Sequence, residues 1–101
     1  MRRRYLALQI VSEEPVPRRD LTDAVWDSVL RLFGEHGASQ ADLNLIEHNP
    51  ERNRAVLRCP HNALNMVRAS LASVTKINEK PAAIHVVAVS GTLKSLRERF
   101  S

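Results

Sequence analysis

The order in which two kinds of apolar periodicity follow one another is the feature that most restricts the fold of this chain. Apolar residues form short strand-like stretches over residues 5–11, 42–48, 54–59 and 83–89. They recur at helical spacing after Asp20 and again after Pro60. The order strand, helix, strand, strand, helix, strand predicts an α+β fold of the ferredoxin-like (RRM-like) βαββαβ type. In that fold a four-stranded antiparallel sheet carries two helices on one face, here with a short C-terminal helix added.

The first helix is expected to begin at Asp20, with Asp23 three residues later in a capping-box-like arrangement. Gly34 or Gly37 is expected to end it. Its predicted buried stripe is Leu21, Val25, Val29, Leu32 and Phe33. Trp26 lies at the edge of that stripe and could be a base-stacking platform, although the high average burial of Trp favours a core position. The second helix has its predicted stripe at Leu64, Val67, Leu71 and Val74, and residues 78–81 are expected to break it.

Length, cysteine content and hydropathy restrict the class of protein. The chain has 101 residues and is expected to form one domain over 1–101. Cys59 is its only cysteine, so no intrachain disulfide can form, and a reduced, cytoplasmic setting is predicted. No apolar run has the length of a membrane span, so no membrane association is expected.

Charge is distributed unevenly along the chain. The formal net charge is +4, yet residues 20–51 contain seven acidic residues and only one basic residue, Arg31. A basic protein favours an acidic partner, and nucleic acid is the first candidate. The acidic stretch is either a solvated helix face or a second surface with a different partner.

The C-terminal stretch combines a strand end, a glycine and a basic amphipathic helix. Residues 90–92 lead from the last strand into a helix whose first N–H groups would suit an anion such as phosphate. The apolar stripe of this helix is Leu93, Leu96 and Phe100. Three cations flank that stripe, namely Lys94, Arg97 and Arg99. The alternative is that Thr92 only caps the helix and Gly91 only makes the turn.

These observations predict a phosphate-binding surface. Its candidate residues are Arg2, Arg3, Arg4, Arg58, Arg68, Ser90, Gly91, Thr92, Lys94, Arg97 and Arg99. The cluster at residues 2–4 could equally be a solvated terminus. The third strand has no aromatic residue, so base stacking on the sheet, as in RNA-recognition motifs, is not expected.

The strands are apolar on both sides, and two helices can cover only one face of the sheet. The residues predicted to face the other way are Tyr5, Ala7, Val87 and Val89. Left open, they would expose a large apolar patch, so either the C-terminal helix or a partner protein is expected to cover them.

No catalytic or metal-binding residue is predicted. Cys59 and His61 lack a recognisable acidic orienting group, and His48, Cys59 and His61 match no standard zinc spacing. An acylphosphatase-like enzyme would need a glycine-rich anion loop after the first strand, where residues 12–15 contain no glycine. The protein is therefore expected to bind no cofactor itself.

Five short motifs, taken in order, resemble ribonuclease P protein component 2, a family of archaeal and eukaryotic ribonuclease P/MRP subunits. They are Arg-Arg-Tyr-Leu at 3–6, Leu-Phe-Gly-Glu-His-Gly at 32–37, Val-Leu-Arg-Cys at 56–59, Val-Arg-Ala-Ser-Leu at 67–71 and Val-Ser-Gly-Thr-Leu-Lys at 89–94. The resemblance covers nearly the whole chain.

The resemblance implies a protein subunit of the ribonucleoprotein that removes the 5′ leader from precursor tRNA. In that family the ribonuclease P RNA is the catalyst and uses Mg²⁺, while the protein supports the RNA. The implied partners are this RNA, precursor tRNA and ribonuclease P protein component 3, with a homodimer possible inside a two-plus-two assembly. The alternative is a self-associating ferredoxin-like module, regulatory or structural, that does not bind RNA.

Overall fold

The structure, a computed structural model, describes residues 2–100 of the chain, except the side chain of Phe100. In chain order the elements are β1 (Arg3–Val11), α1 (Arg18–Ala41), β2 (Asn44–Asn49), β3 (Arg54–Pro60), a 3-10 turn (His61–Ala63), α2 (Leu64–Ala72), β4 (Lys76–Ile77), β5 (Lys80–Pro81), β6 (Ala83–Ser90) and α3 (Leu93–Phe100). Four strands form an antiparallel sheet in the order β2-β3-β1-β6. The predicted ferredoxin-like fold is confirmed.

The main core lies between one face of the sheet and the helices α1 and α2. Alternate residues of β1, namely Leu6, Leu8 and Ile10, are buried there, as the period of two predicts. The helices contribute Leu21, Val25, Val29, Val67 and Leu71. Trp26 is partly buried and packs against this core, which confirms the core-edge position expected for it.

The start of α1 differs from the prediction. The helix begins at Arg18 after Pro17, and the amide of Leu21 donates to the carbonyl of Pro17 at 3.1 Å. No side chain caps this end, so the expected capping box at Asp20 and Asp23 is wrong. Proline fixes its own φ near the value that a helix entrance needs, so the helix can start two residues earlier. Asp20 then lies in the first turn, where a carboxylate favours the positive end of the helix dipole.

Gly34 ends the first helical segment of α1, which confirms one of the two glycines predicted for this role. Gly34 breaks the helix with φ +71°, and helical turns then resume as far as Ala41. A Cβ on Gly37 would lie 2.5 Å from Cβ of Phe33, so only glycine fits there. Leu32 and Phe33 are 47% and 41% exposed, and their predicted burial is wrong. They occupy the last turn before the break, and the redirected segment buries Ala38 and Ala41 instead.

Two local features were not predicted in this part of the chain. Residues 76–81 form a small hairpin, β4–β5, instead of a simple helix breaker, and its turn residues Asn78 and Glu79 have φ of +52° and +66°. Two successive positive φ values are the geometry of a tight hairpin turn. The second feature is a bulge on β6, because Ala7 pairs with Ala88 while Leu8 pairs with Val86.

The bulge corrects one of the predicted partner-face residues. Val87 is the extra residue, so Val86 and Val89 both pack against the main core and Ala88 faces the opposite side. Val89 therefore does not belong to the second face. Val87 is on the surface, with 49% of its area exposed.

Helix α3 covers the middle of the second face. Ala7, Val56 and Leu96 form a small buried group, here called the α3 cluster, and Tyr5, Ile46, Ala88 and Leu93 pack around it. Tyr5 and Ala7 are thus covered by the chain's own C-terminal helix, and Ala7 has no exposed surface to offer a partner protein. Of the two alternatives predicted for this face, the C-terminal helix or a partner protein, the structure shows the C-terminal helix over these residues.

Candidate nucleic-acid interface

The start of α3 is a capped helix end. Thr92 Oγ1 accepts a hydrogen bond from the amide of Ser95 at 3.1 Å, and the amide of Thr92 donates to Ser90 Oγ at 3.4 Å. Thr92 therefore has the capping role that was the alternative to a phosphate contact. The amides of Leu93 and Lys94, as first-turn groups, have no acceptor inside the helix.

Gly91 is not required by the backbone. Its φ is not in the left-handed region, and a Cβ built on it would have one neighbour within 4 Å, Arg4 Nη1 at 3.5 Å, an ordinary contact. Within the protein, therefore, no close contact requires glycine at this position, and close approach of a phosphate to Gly91 stays a prediction. The same contact shows that the guanidinium of Arg4 lies beside the turn into α3.

Two of the three cations of α3 are used to fix the helix to the sheet. Arg97 forms an ion pair with Glu47 on β2 through Nε and Nη2, and Arg99 Nη1 donates to the carbonyl of Val89 at 3.0 Å. Both side chains remain exposed, so their phosphate contacts stay a prediction beside this role in attachment. Glu47 could not be predicted as the partner of Arg97, because nothing local in the sequence links two residues 50 positions apart.

The remaining cations of this region gather at one end of the sheet, here called the basic end: Arg2, Arg3, Arg4, Arg58 and Lys94. Tyr5 is paired with Arg58 of β3 on one side and with Ser90 of β6 on the other. The carbonyl of Arg2 accepts from the amide of His61 at 2.8 Å, which places Arg2 beside the 3-10 turn. The register therefore brings together cations from three separate segments of the sequence.

Arg68 is not part of the basic end. It is exposed on α2, where it lines a groove together with Ile84 and Val86 of β6. Since α2 and α3 lie on opposite faces of the sheet, Arg68 cannot share a phosphate group with Lys94. Its prediction as a neighbour of the C-terminal cations is wrong.

Three aspartates of α1 lie along one groove on the other layer. Asp20, Asp23 and Asp27 line a groove between α1 and the β4–β5 hairpin, together with Glu79. Two exposed ion pairs on α1, Arg19 with Asp23 at 3.9 Å and Arg31 with Asp27 at 3.5 Å, add little to stability. Arg31 and Lys76 line the same groove, so its acidic side chains have cations close by.

The histidines and the cysteine do not form a reactive group. Cys59 is buried at the end of β3, and loss of hydration raises the pKa of its thiol to about 11, although the charge of Arg4 acts in the opposite direction. His48 Nε2 lies 2.8 Å from the carbonyl of Val16, and His61 is exposed. Between residues 2 and 100, no three His, Cys, Asp or Glu side chains are grouped closely enough to hold a metal ion. None of the helices in this range could cross a membrane.

Comparisons with known proteins agree with the resemblance in the sequence. Residues 4–101 match the family model described as the Rpp14/Pop5 family. The ribonuclease P protein component 2 of Methanosarcina mazei is 38% identical over 99 residues, which cover 98% of this chain and 84% of that protein. The protein of the same name from Pyrococcus furiosus is 34% identical over 99 residues, covering 98% and 82%.

A solved structure shows the same fold at much lower identity. A chain of yeast ribonuclease MRP superposes with a TM-score of 0.77 at 12% identity, covering 97% of this chain and 90% of that chain. At this identity the match is evidence for the fold alone. The family model and the curated relatives, which match nearly the full length, establish that this chain belongs to the Rpp14/Pop5 family.

Proposed function

We propose that the chain acts in ribonuclease P by holding backbone phosphates of the ribonuclease P RNA at its basic end. A ribonuclease P subunit role follows from the family and from relatives named as ribonuclease P protein components. The observation that supports the RNA contact is the gathering of Arg2, Arg3, Arg4, Arg58 and Lys94 at one end of the sheet, near the turn into α3.

The chemistry of this surface favours phosphate over base recognition. Arginine forms charge-assisted, often bidentate bonds with phosphate, and such contacts do not depend on base sequence. Neither Tyr5 nor Trp26 offers a stacking platform here, because Tyr5 is half-buried beside α3 and Trp26 packs against the main core. The surface would position the protein on folded RNA without reading individual bases.

The chemical step of the assembly is proposed to belong to the RNA and its Mg²⁺, with precursor tRNA as substrate and no cofactor bound by the protein. Cys59 supports this division of labour, because its raised thiol pKa keeps it protonated at neutral pH and its burial keeps it from substrate. His61, its only candidate partner in the sequence, is on the surface.

Protein partners are proposed on the same basis. Val11, Val87, Leu30, Leu32 and Phe33 are large apolar residues left exposed by the fold. Ribonuclease P protein component 3, or a second copy of this chain within a two-plus-two assembly, would cover some of this surface. A cytoplasmic setting is part of the same proposal.

The proposal is tested with a double variant, Arg3→Gln with Lys94→Gln, binding to a transcript of the Methanosarcina mazei ribonuclease P RNA. Each lost phosphate contact should flatten the slope of log affinity against log salt by about 0.7 to 0.9. The slope of the double variant should therefore be flatter than that of wild type by roughly 1.4 to 1.8. The matched control is Arg19→Gln with Arg31→Gln, which removes the same charge from the acidic helix. Equal slopes for wild type and the Arg3/Lys94 variant would contradict the proposal.

A further inference from the structure

A second basic concavity lies at the other end of the sheet, where the β2–β3 hairpin turns. This turn pocket has a volume of about 390 Å³ and is lined mainly by Glu47, Asn49, Arg52, Arg54 and Val56. Glu47 pairs with Val56 and Asn49 pairs with Arg54, so these four side chains point to the face that carries α3. We propose that the turn pocket binds a second stretch of RNA backbone phosphate, independent of the basic end.

The carboxylate of the pocket is already neutralised. Glu47 accepts from Arg97 of α3, at 3.0 Å from Nε, and from Nη2 of the same guanidinium. An incoming phosphate therefore meets the exposed guanidinium of Arg52 without an uncompensated Glu47 beside it. Glu51 belongs to the same turn but is not among the residues that line the pocket. Arg97 thus contributes to anion binding by neutralising Glu47 and not by touching the phosphate.

The pocket is held in shape before any ligand arrives. Gln9 Nε2 donates to the carbonyls of Arg52 and Asn53, each at 3.1 Å, and its Oε1 accepts from Arg54 Nε at 3.3 Å. This orients the half-buried guanidinium of Arg54. Preorganised groups lose less conformational entropy on binding, which favours a specific site over a merely charged surface.

The turn itself is fixed by the backbone. The amide of Arg52 donates to Asn49 Oδ1 at 3.4 Å, and the amide of Ile10 donates to the carbonyl of Asn53 at 2.8 Å. Asn53 adopts φ +51°, which asparagine tolerates better than most residues. The side chain of Arg52 is exposed at the rim, so removing its charge leaves these backbone contacts in place.

The two sites are too far apart to share one phosphate. Arg54 and Arg58 lie on the same face of β3, four residues and therefore about 13 Å apart. Val56 lies between them and is buried beneath Leu96 of α3. Helix α3 thus crosses the sheet between two groups of cations. The ligand class, RNA backbone, rests on the proposed function, whereas the location of this second contact does not depend on the basic end.

The test is the variant Arg52→Gln, with Arg19→Gln on α1 as a control for the same loss of charge. Binding to the same ribonuclease P RNA transcript is measured over a range of salt concentrations. Loss of one contact should flatten the salt slope by about 0.7 to 0.9 and weaken binding roughly fivefold to eightfold at 0.1 M salt. The Arg19 control should change neither value by a comparable amount.

A combined variant separates this inference from the proposed function. Arg52→Gln added to Arg3→Gln and Lys94→Gln should flatten the slope further, because independent contacts add. Suppose that Arg52→Gln keeps the wild-type salt slope while the Arg3/Lys94 variant has a flatter one. Phosphate binding in the turn pocket is then contradicted, and phosphate binding at the basic end is supported. If Arg52→Gln alone flattens the slope, the pocket is supported and the basic end is contradicted.

Discussion

The two faces of the sheet are covered in different ways. On one face, α1 and α2 bury a continuous group of aliphatic side chains that includes Leu6, Leu8, Leu21 and Leu71. On the other face, the single short helix α3 buries only the α3 cluster of Ala7, Val56 and Leu96. Polar contacts of Arg97 and Arg99 complete the attachment of α3. The first face is held by a large buried core, and the second by a small apolar cluster with a few exposed polar contacts.

This difference predicts that stability and the proposed RNA contacts depend on different faces of one small domain. Burial of apolar area dominates folding free energy, so the α1/α2 face should carry most of it. On the face with α3, Arg54 and Arg58 of β3 lie on either side of the helix and are half-exposed among the described residues. A thinly covered face of this kind can bind a polyanion without a change in the main core.

The largest expected effect compares one leucine from each face. Leu21→Ala should lower the free energy of unfolding by about 2 to 5 kcal/mol, because it opens a cavity in the main core. Leu96→Ala should cost at most about 2 kcal/mol, since α3 at the chain end can detach locally while the sheet stays folded. Urea unfolding followed by Trp26 fluorescence and by circular dichroism measures both. Equal losses for the two variants would mean that the faces are energetically equivalent.

Most buried residues of the α1/α2 face could be predicted from the sequence, because their burial follows local periodicity. The alternation of Leu6, Leu8 and Ile10 predicts their burial, because the side-chain period of a strand is fixed by the backbone. The stripe of Leu21, Val25 and Val29 follows from helical spacing in the same way, but fails at Leu32, where the break at Gly34 redirects the chain.

The face with α3 could not be predicted to the same extent, because its contacts depend on register. The bulge beside Val87 changes which side of the sheet Val89 faces, and a shift of one residue leaves no mark in the local sequence. The ion pair of Arg97 with Glu47 likewise requires β2 to lie beneath α3. The sequence predicts the basic amphipathic helix α3, but it does not predict that Glu47 is the acidic residue with which this helix pairs.

An intermediate effect is expected at alkaline pH from Cys59, which faces the main core one residue away from half-exposed Arg58. Burial raises its pKa from 9.0 to about 11, so the folded state keeps the proton over a range where the unfolded state loses it. Stability should therefore fall as pH rises from about 9 to 11, by about 1.4 kcal/mol for each unit of pKa difference. The free energy of unfolding is measured for wild type and Cys59→Ala at several pH values. The difference between the two proteins isolates the pH dependence that comes from Cys59, because the contributions of the other titrating groups cancel. A difference independent of pH would show that water reaches the thiol in the folded protein.

The smallest expected effect tests the polar attachment of α3. The ion pair of Arg97 with Glu47 is largely exposed, so Arg97→Gln should change the global free energy of unfolding by only about 0.2 to 1 kcal/mol. Arg31→Gln, which breaks the pair with Asp27 on α1, is the matched control and should change the free energy of unfolding by an amount in the same range.

The two variants, Arg97→Gln and Arg31→Gln, should differ in hydrogen exchange. Loss of Arg97 should speed exchange of α3 amides such as that of Leu96 while β1 keeps its protection, because α3 opens separately from the core. Loss of Arg31 should leave α3 unchanged, since α1 is anchored by buried Leu21, Val25 and Val29. If α3 exchange is the same in both variants, its attachment rests on Leu96 and its apolar neighbours, and the two faces of the sheet differ only in the amount of apolar surface that they bury.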